Sequence, residues 1–184
     1  EGEKIATCHV ICDNDEKLEA LLKEIGPPLT SQKGSLIYLA EGGSRMYNLS
    51  TPESDSDFVG VFLWDTSVVL SSILKKKESA ENKGKQARIE HSCFEARMMA
   101  EMLLKGNPNV VELLFAPSAH FCSQEFEFLR QHRRKLISEY AMVQYDSWVK
   151  WHLARIASGS KTERAGKLFY HALHKLAGLQ CLAR

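Results

Sequence analysis

The sequence predicts an α/β (α+β) chain: a small mixed β-sheet with helices over residues 1–93, then a C-terminal helical region, 94–184, packed on that core as a bundle. Three observations carry this. Short, strand-like apolar runs cluster in the first half, whereas from Phe94 onward the apolar spacing becomes helical and stays so. Strands followed by runs of helices are the pattern of segregated sheet and helix layers. The 184 residues, 44% of them hydrophobic, suffice for one ordinary globular domain or one with a small helical extension.

In chain order, KIATCHVI (4–11) has strand character. DNDEKLEALLKEI (13–25) reads as a helix, with Asp13 as its N-cap and Leu18, Leu21, Leu22 and Ile25 on one face. Gly26-Pro27-Pro28 stops it. SLIYLA (35–40) is a buried strand and DFVGVFLW (57–64) another, while SVVLSSIL (67–74) suits either a strand or a short helix. The charged stretch KKKESAENKGKQ (75–86) is expected as an exposed, mobile loop. ARIEHSCF (87–94) resumes strand alternation. Helices follow over 94–105, ended by Gly106, and 107–116, with Asn107 as N-cap and Pro108 in the first helical position. Further helices are expected over 123–137, 140–157 and 163–183.

The net charge of +1 hides an uneven distribution: −6 over residues 1–60 and +7 over 61–184. An acidic front and a basic back suit a protein that holds cations with one part and phosphates with the other; solvated helix faces account for the same numbers. Between residues 130 and 175 there are ten lysines and arginines against Glu139, Asp146 and Glu163. The five cysteines, at 8, 12, 93, 122 and 181, are odd in number and lack paired CxxC spacing, which favours a reducing, intracellular compartment, the cytoplasm first. Cys8, His9 and Cys12 lack the second ligand pair a structural zinc needs. No run of 18 apolar residues predicts a membrane span. Glu1 in place of Met is expected of a processed chain, and the helical pattern still runs at LQCLAR (179–184).

The chemistry concentrates in EGGSRMYNLSTPESDSDFVG (41–60). A buried strand runs into Gly42-Gly43-Ser44 and then a short turn. Glycines there let the backbone approach a ligand, a helix start offers unpaired amides, and the Ser44 hydroxyl can bond a phosphate oxygen; a simple tight turn is the alternative. Asp55 and Asp57 lie at the mouth of the next strand. Carboxylates two residues apart on a strand share a face and suit a hard cation such as Mg²⁺. A solvated acidic loop, with Ser54 or Asp55 capping a turn, is the alternative.

Taken together, a strand, a Gly-Ser turn, ten residues and Asp-x-Asp opening a second strand resemble the DNA polymerase β-like nucleotidyltransferase superfamily. The likeness is to the branch of predicted nucleotidyltransferases encoded with RNA ligase and RNA-repair genes. Its Gly-Ser-Arg-x-Tyr-Gly-Leu motif reads GSRMYNL (43–49) here, and its Ser-Asp-x-Asp and strand read SDSD (54–57) and FVGVF (58–62). LLKGNPNVVELLFAP (103–117) matches a later run, and KLFYHALH (167–174) a final Lys-x-x-x-His-x-x-Arg helix. Asn48 stands where glycine is usual, and His174 where arginine is. Asn tolerates left-handed backbone angles. Residues 1–33 lie outside the likeness.

The resemblance implies in-line transfer of NMP from an NTP to an acceptor hydroxyl, with an RNA end as the first candidate. Mg²⁺ or Mn²⁺ ions would be held by Asp55, Asp57 and a third carboxylate on a neighbouring strand, whose matching position is Glu90. Gly43, Ser44 and Arg45 match the nucleotide-binding turn, and Lys167 and His171 the later basic motif. A nucleotide- or RNA-binding module of the same fold without turnover is the other reading. Tyr145, Trp148, Trp151 and Tyr170 are candidate base-stacking residues, although their helical spacing equally suits a core. Glu112 is a capping or ion-pair candidate.

Overall fold

The computed structural model describes residues 9–10, 15–25, 34–52, 54–74, 81–86, 89–159 and 165–183. The Asp13 cap, the Gly26–Pro28 stop, Cys8, Cys12, Lys161, Glu163 and Arg164 lie outside them. Two compact units are present: Glu1–Ala100 with Leu113–Arg133, and Glu101–Glu112 with Arg134–Arg184. Residues 94–184 therefore contribute to both.

The first unit is built on a mixed sheet. Its strands are β2 (Gly34–Glu41), β3 (Ser56–Trp64), β4 (Glu81–Gln86), β5 (Ile89–Glu95) and β7 (Phe121–Cys122), in the order β4-β5-β3-β2-β7. β3 and β5 run parallel, and the other neighbours antiparallel. Of the strand expected over 4–11, His9–Val10 (β1) is described and pairs in parallel with β6 (Ser118–Ala119).

Both faces of the sheet are covered, which is why the central strands read as near-continuous apolar runs. On one face Leu39, Phe58, Phe62 and Cys93 form a buried cluster. Leu21 and Leu22 of α1 (Asp15–Ile25) pack against it. Tyr38, next along β2, takes the other face, fully buried and stacked 4.2 Å from Phe126 of α6 (Gln124–Gln131). Ser123 caps α6 by accepting the Phe126 N–H at 3.3 Å. Arg130 at the far end of α6 is buried, donating to the Tyr38 hydroxyl at 3.0 Å and the Ala116 carbonyl at 2.6 Å. This arginine of the basic stretch is thus spent inside the fold.

Three local expectations change. The segment 81–86, expected as part of a loop, is the edge strand β4; ENKGKQ lacks apolar alternation because an edge strand tolerates lysine and glycine. SVVLSSIL resolves as the helix α3 (Thr66–Leu74). The helix expected over 123–137 breaks at His132, and a 3₁₀ turn follows over Arg133–Leu136.

α4 (Ala96–Leu104) ends at Gly106, whose φ is +71° and where a Cβ would overlap the Ala141 backbone. Asn107 then caps α5 (Pro108–Phe115), its Oδ1 accepting the Asn109 N–H at 3.0 Å. α7 (Tyr140–Ala157) and α8 (Ala165–Leu182) pack together in the second unit. Gly178 leaves room for the Tyr145 ring. Lys175 is buried with its Nζ 2.6 Å from both carboxylate oxygens of Glu112, so Glu112 does serve in an ion pair.

Candidate functional site

The turn after β2 and the start of β3 are fastened together. The Gly42 N–H donates to the Asp57 carbonyl at 2.7 Å. Gly43 has φ +57°, and a Cβ there would overlap Asp57 Oδ2. At Gly42 a Cβ would come within 2.8 Å of Val59 Cγ2. Gly43 therefore combines a left-handed backbone with a close approach to a carboxylate oxygen, while at Gly42 the neighbour is a side-chain methyl.

Residues Gly43–Met46 form a single helical turn, α2. It is too short for a macrodipole, so its contribution is its first amides, which have no partner within the helix. The turn closes through Leu49 N–H to Ser44 O at 2.9 Å and Asn48 N–H to Arg45 O at 3.1 Å. Asn48 sits at φ +56°, the conformation that makes glycine the usual residue there and asparagine an acceptable one. Arg45 Nη1 lies 3.9 Å from Glu41 Oε1, and its Nε is buried without a hydrogen-bond partner among the described residues.

Thr51 and Ser54 close the intervening loop: Thr51 N–H donates to Ser54 Oγ at 2.9 Å, and Ser54 N–H to Thr51 O at 3.0 Å. Asp55 follows, exposed, one residue before β3. Asp57 is the second residue of β3 and half-buried, and the parallel ladder sets it in register with Glu90 of β5. Residues so paired stand on one face about 4.8 Å apart, where two carboxylates repel unless a positive charge joins them. Among the described residues, no three or more His, Cys, Asp or Glu groups close into a cation-binding cluster.

Lys167 and His171 lie one turn apart on α8, in the second unit, Lys167 exposed and His171 half-buried. The His171 ring stacks 5.4 Å from that of His152, at 18°. Burial lowers the His171 imidazole to about 4, with His152, Lys167, Lys175 and His174 adding to the effect. His171 is therefore neutral at pH 7 and offers a hydrogen bond rather than a charge. His174, at the position of the usual arginine, has Nε2 3.3 Å from Glu112 Oε1. His152 was not singled out from the sequence. It is buried, with both ring nitrogens lacking a hydrogen-bond partner among the described residues, and its place opposite α8 depends on helix pairing that no local pattern encodes. Among the stacking candidates, Tyr145 is buried in the helical unit, while Trp151 is 52% exposed with Arg155 over its ring.

Residues 15–182 match the RNA repair pathway DNA polymerase beta family. The chain belongs to that family. Membership makes it a relative of polymerase β-like nucleotidyltransferases associated with RNA repair, on a mixed α+β fold. Among curated proteins nothing matches. Among solved structures, the chain is similar to a nucleotidyltransferase-like protein from Exiguobacterium sibiricum 255-15, at 15% identity and a TM-score of 0.39. The match covers 92% of this chain and 58% of that one. Among the described residues, Cys93, Cys122 and Cys181 are not joined in disulfides. No described helix is long and apolar enough to cross a membrane.

Proposed function

We propose that this family member is a nucleotidyltransferase that moves NMP from an NTP to an acceptor hydroxyl on an RNA end. The observation that carries the proposal is the register of Asp57 with Glu90, with the Gly43 backbone against Asp57 Oδ2. It joins a glycine turn suited to an anion with carboxylates suited to a cation. Asp55, Asp57 and Glu90 are the residues that would hold a divalent ion such as Mg²⁺ or Mn²⁺, and the register of Asp57 with Glu90 brings together the hard oxygen donors such an ion takes. When bound, that ion supplies charge neutralisation at the phosphates and a more acidic acceptor hydroxyl.

The chain's own residues do the rest. The amides of the Gly43–Ser44 turn and the Ser44 hydroxyl bind phosphate oxygens, and Arg45 adds positive charge beside them. Positioning and electrostatic stabilisation dominate phosphoryl chemistry, so this grip matters as much as any proton transfer. A Glu90 carboxylate oxygen would accept the proton that the acceptor hydroxyl gives up. Lys167 and His171 enter as nucleotide contacts on the strength of the family motif alone.

One observation favours binding without turnover: no cation-binding cluster of three closes among the described residues. A labelled-NTP assay with RNA acceptors and Mg²⁺ separates the two readings. Transfer with pyrophosphate release, reduced to background in the Asp55→Ala/Asp57→Ala variant, is the expected result. Transfer that survives the double substitution removes these carboxylates from the mechanism. NTP binding with no pyrophosphate release favours the binding module.

A further inference from the structure

The two long helices of the second unit run antiparallel: Tyr145 of α7 meets Gly178 of α8, and His152, two turns on, stacks on His171 at 5.4 Å. Trp151 and Arg155 therefore lie at the end of the pair that also carries Lys167. Arg155, one turn beyond Trp151, sets its guanidinium carbon 4.5 Å from the indole centroid. The His152 ring meets the indole edge-on, at 4.8 Å and 73°. Trp151 is thus held by its neighbours and is still 52% exposed. Both cations flank the stacked histidines. Burial first, then Lys175 and Arg155, lowers the His152 imidazole, and Lys167 is among the charges that add to burial at His171. α7 and α8 hold four lysines and arginines and one acid, Asp146. Lys150 is taken by Asp146 at 2.6 Å and Lys175 by Glu112 at 2.6 Å, which leaves Arg155 and Lys167 as the surplus positive charge of the two helices.

Resting on the RNA acceptor proposed above, we propose that this end of the α7–α8 pair is a binding surface for single-stranded RNA, on which Trp151 stacks an unpaired base and Arg155 and Lys167 meet backbone phosphates. Charge complementarity selects the occupant, because surplus cations beside an exposed aromatic ring suit a polyanion that carries flat apolar rings. An indole with a guanidinium over it is a rigid stacking platform, and every base has a face to place on one. Bases paired in a duplex are not available for such stacking, so the surface should prefer an unpaired strand. The nucleotide that Lys167 contacts is then one of the RNA strand. The competing role, a surface tryptophan shielded by its own arginine, leaves RNA affinity untouched.

The test is an anisotropy titration of a labelled single-stranded RNA of mixed sequence, and of its duplex, at low and high salt, with the full chain, Trp151→Ala, Trp151→Phe and Arg155→Ala. Base stacking predicts a roughly 5- to 100-fold weaker Kd for the single strand in Trp151→Ala, with Trp151→Phe restoring most of the affinity. Arg155→Ala should weaken binding and reduce the slope of log K against log salt by about 0.7, the share of one phosphate contact on a single strand. Binding of a non-hydrolysable NTP analogue with Mn²⁺ should be unchanged in Trp151→Ala. An unchanged Kd for RNA in a folded Trp151→Ala overturns the assignment, as does a duplex bound as tightly as the single strand. Should Trp151→Ala fail to fold, Arg155→Ala decides, and an unchanged affinity and salt slope there overturn it. Altered self-association in Trp151→Ala with RNA affinity unchanged gives the face to a second copy of the chain and likewise overturns it. A full chain that binds the NTP analogue but no RNA sinks the surface and leaves nucleotidyl transfer standing with another acceptor. A full chain that binds RNA through Trp151 but releases no pyrophosphate sinks the transfer reading and leaves the surface standing.

Discussion

Gly43 combines two demands in one residue. Its φ of +57° costs an L-residue about 1–2 kcal/mol, and the space its missing side chain leaves is taken by Asp57 Oδ2. Gly43→Ala therefore strains the turn and displaces the carboxylate together. At 2–4 °C per kcal/mol for a chain of this size, Tm should fall by roughly 2–8 °C. Divalent-dependent nucleotide binding should fall with it. Gly166 is the matched control: it lies in α8, and a Cβ there meets nothing within 4 Å. Gly166→Ala should leave nucleotide binding alone and raise stability by up to about 1 kcal/mol. Thermal melts and nucleotide titrations on the two variants check both halves, and equal behaviour of the two removes the special role of Gly43.

At the scale of elements, the second unit is held by a buried charge pair between α5 and α8. Lys175 Nζ lies 2.6 Å from both oxygens of Glu112, and 5.7 and 5.3 Å from the ring centroids of Tyr145 and Trp148 on α7. Such a pair contributes little net stability over a well-packed apolar substitute, but breaking one half leaves a buried charge uncompensated, at about 3–5 kcal/mol. Lys175→Met should therefore lower Tm by on the order of 10 °C. Lys175→Met/Glu112→Leu should recover most of that loss, because the orphaned carboxylate is gone. A double variant as unstable as the single one shows that packing around the lysine stem, rather than the charge, holds these helices together.

At the scale of the whole molecule, what the sequence disclosed divides by the range of the forces involved. Gly43, Asn48, the Asn107 cap and the strand at Asp57 were legible because backbone angles and short-range hydrogen bonds determine them. β4 was not, because an edge strand lacks apolar alternation, and β6 and β7 are too short to show a period. The fates of Arg130 and Lys175 were also hidden, since their partners Tyr38 and Glu112 are 92 and 63 residues away. The same long-range burial sets the molecule's response to acid. His91, His120, His152 and His171 all have imidazoles lowered by burial, His171 to about 4. Each binds its proton more weakly folded than unfolded, where the ordinary value is about 6.5. Their stabilising effect is therefore complete above about pH 6.5 and is lost as the pH falls, for His171 down through about 4. Tm should decline steadily between pH 7 and 5, before most carboxylates titrate. His171→Gln, which cannot take up the proton, should reduce that decline by a few degrees while moving Tm at pH 7 much less. A parallel downward shift of the whole Tm–pH curve in His171→Gln would instead mean that the histidine acts through its stacking on His152 and not through its proton.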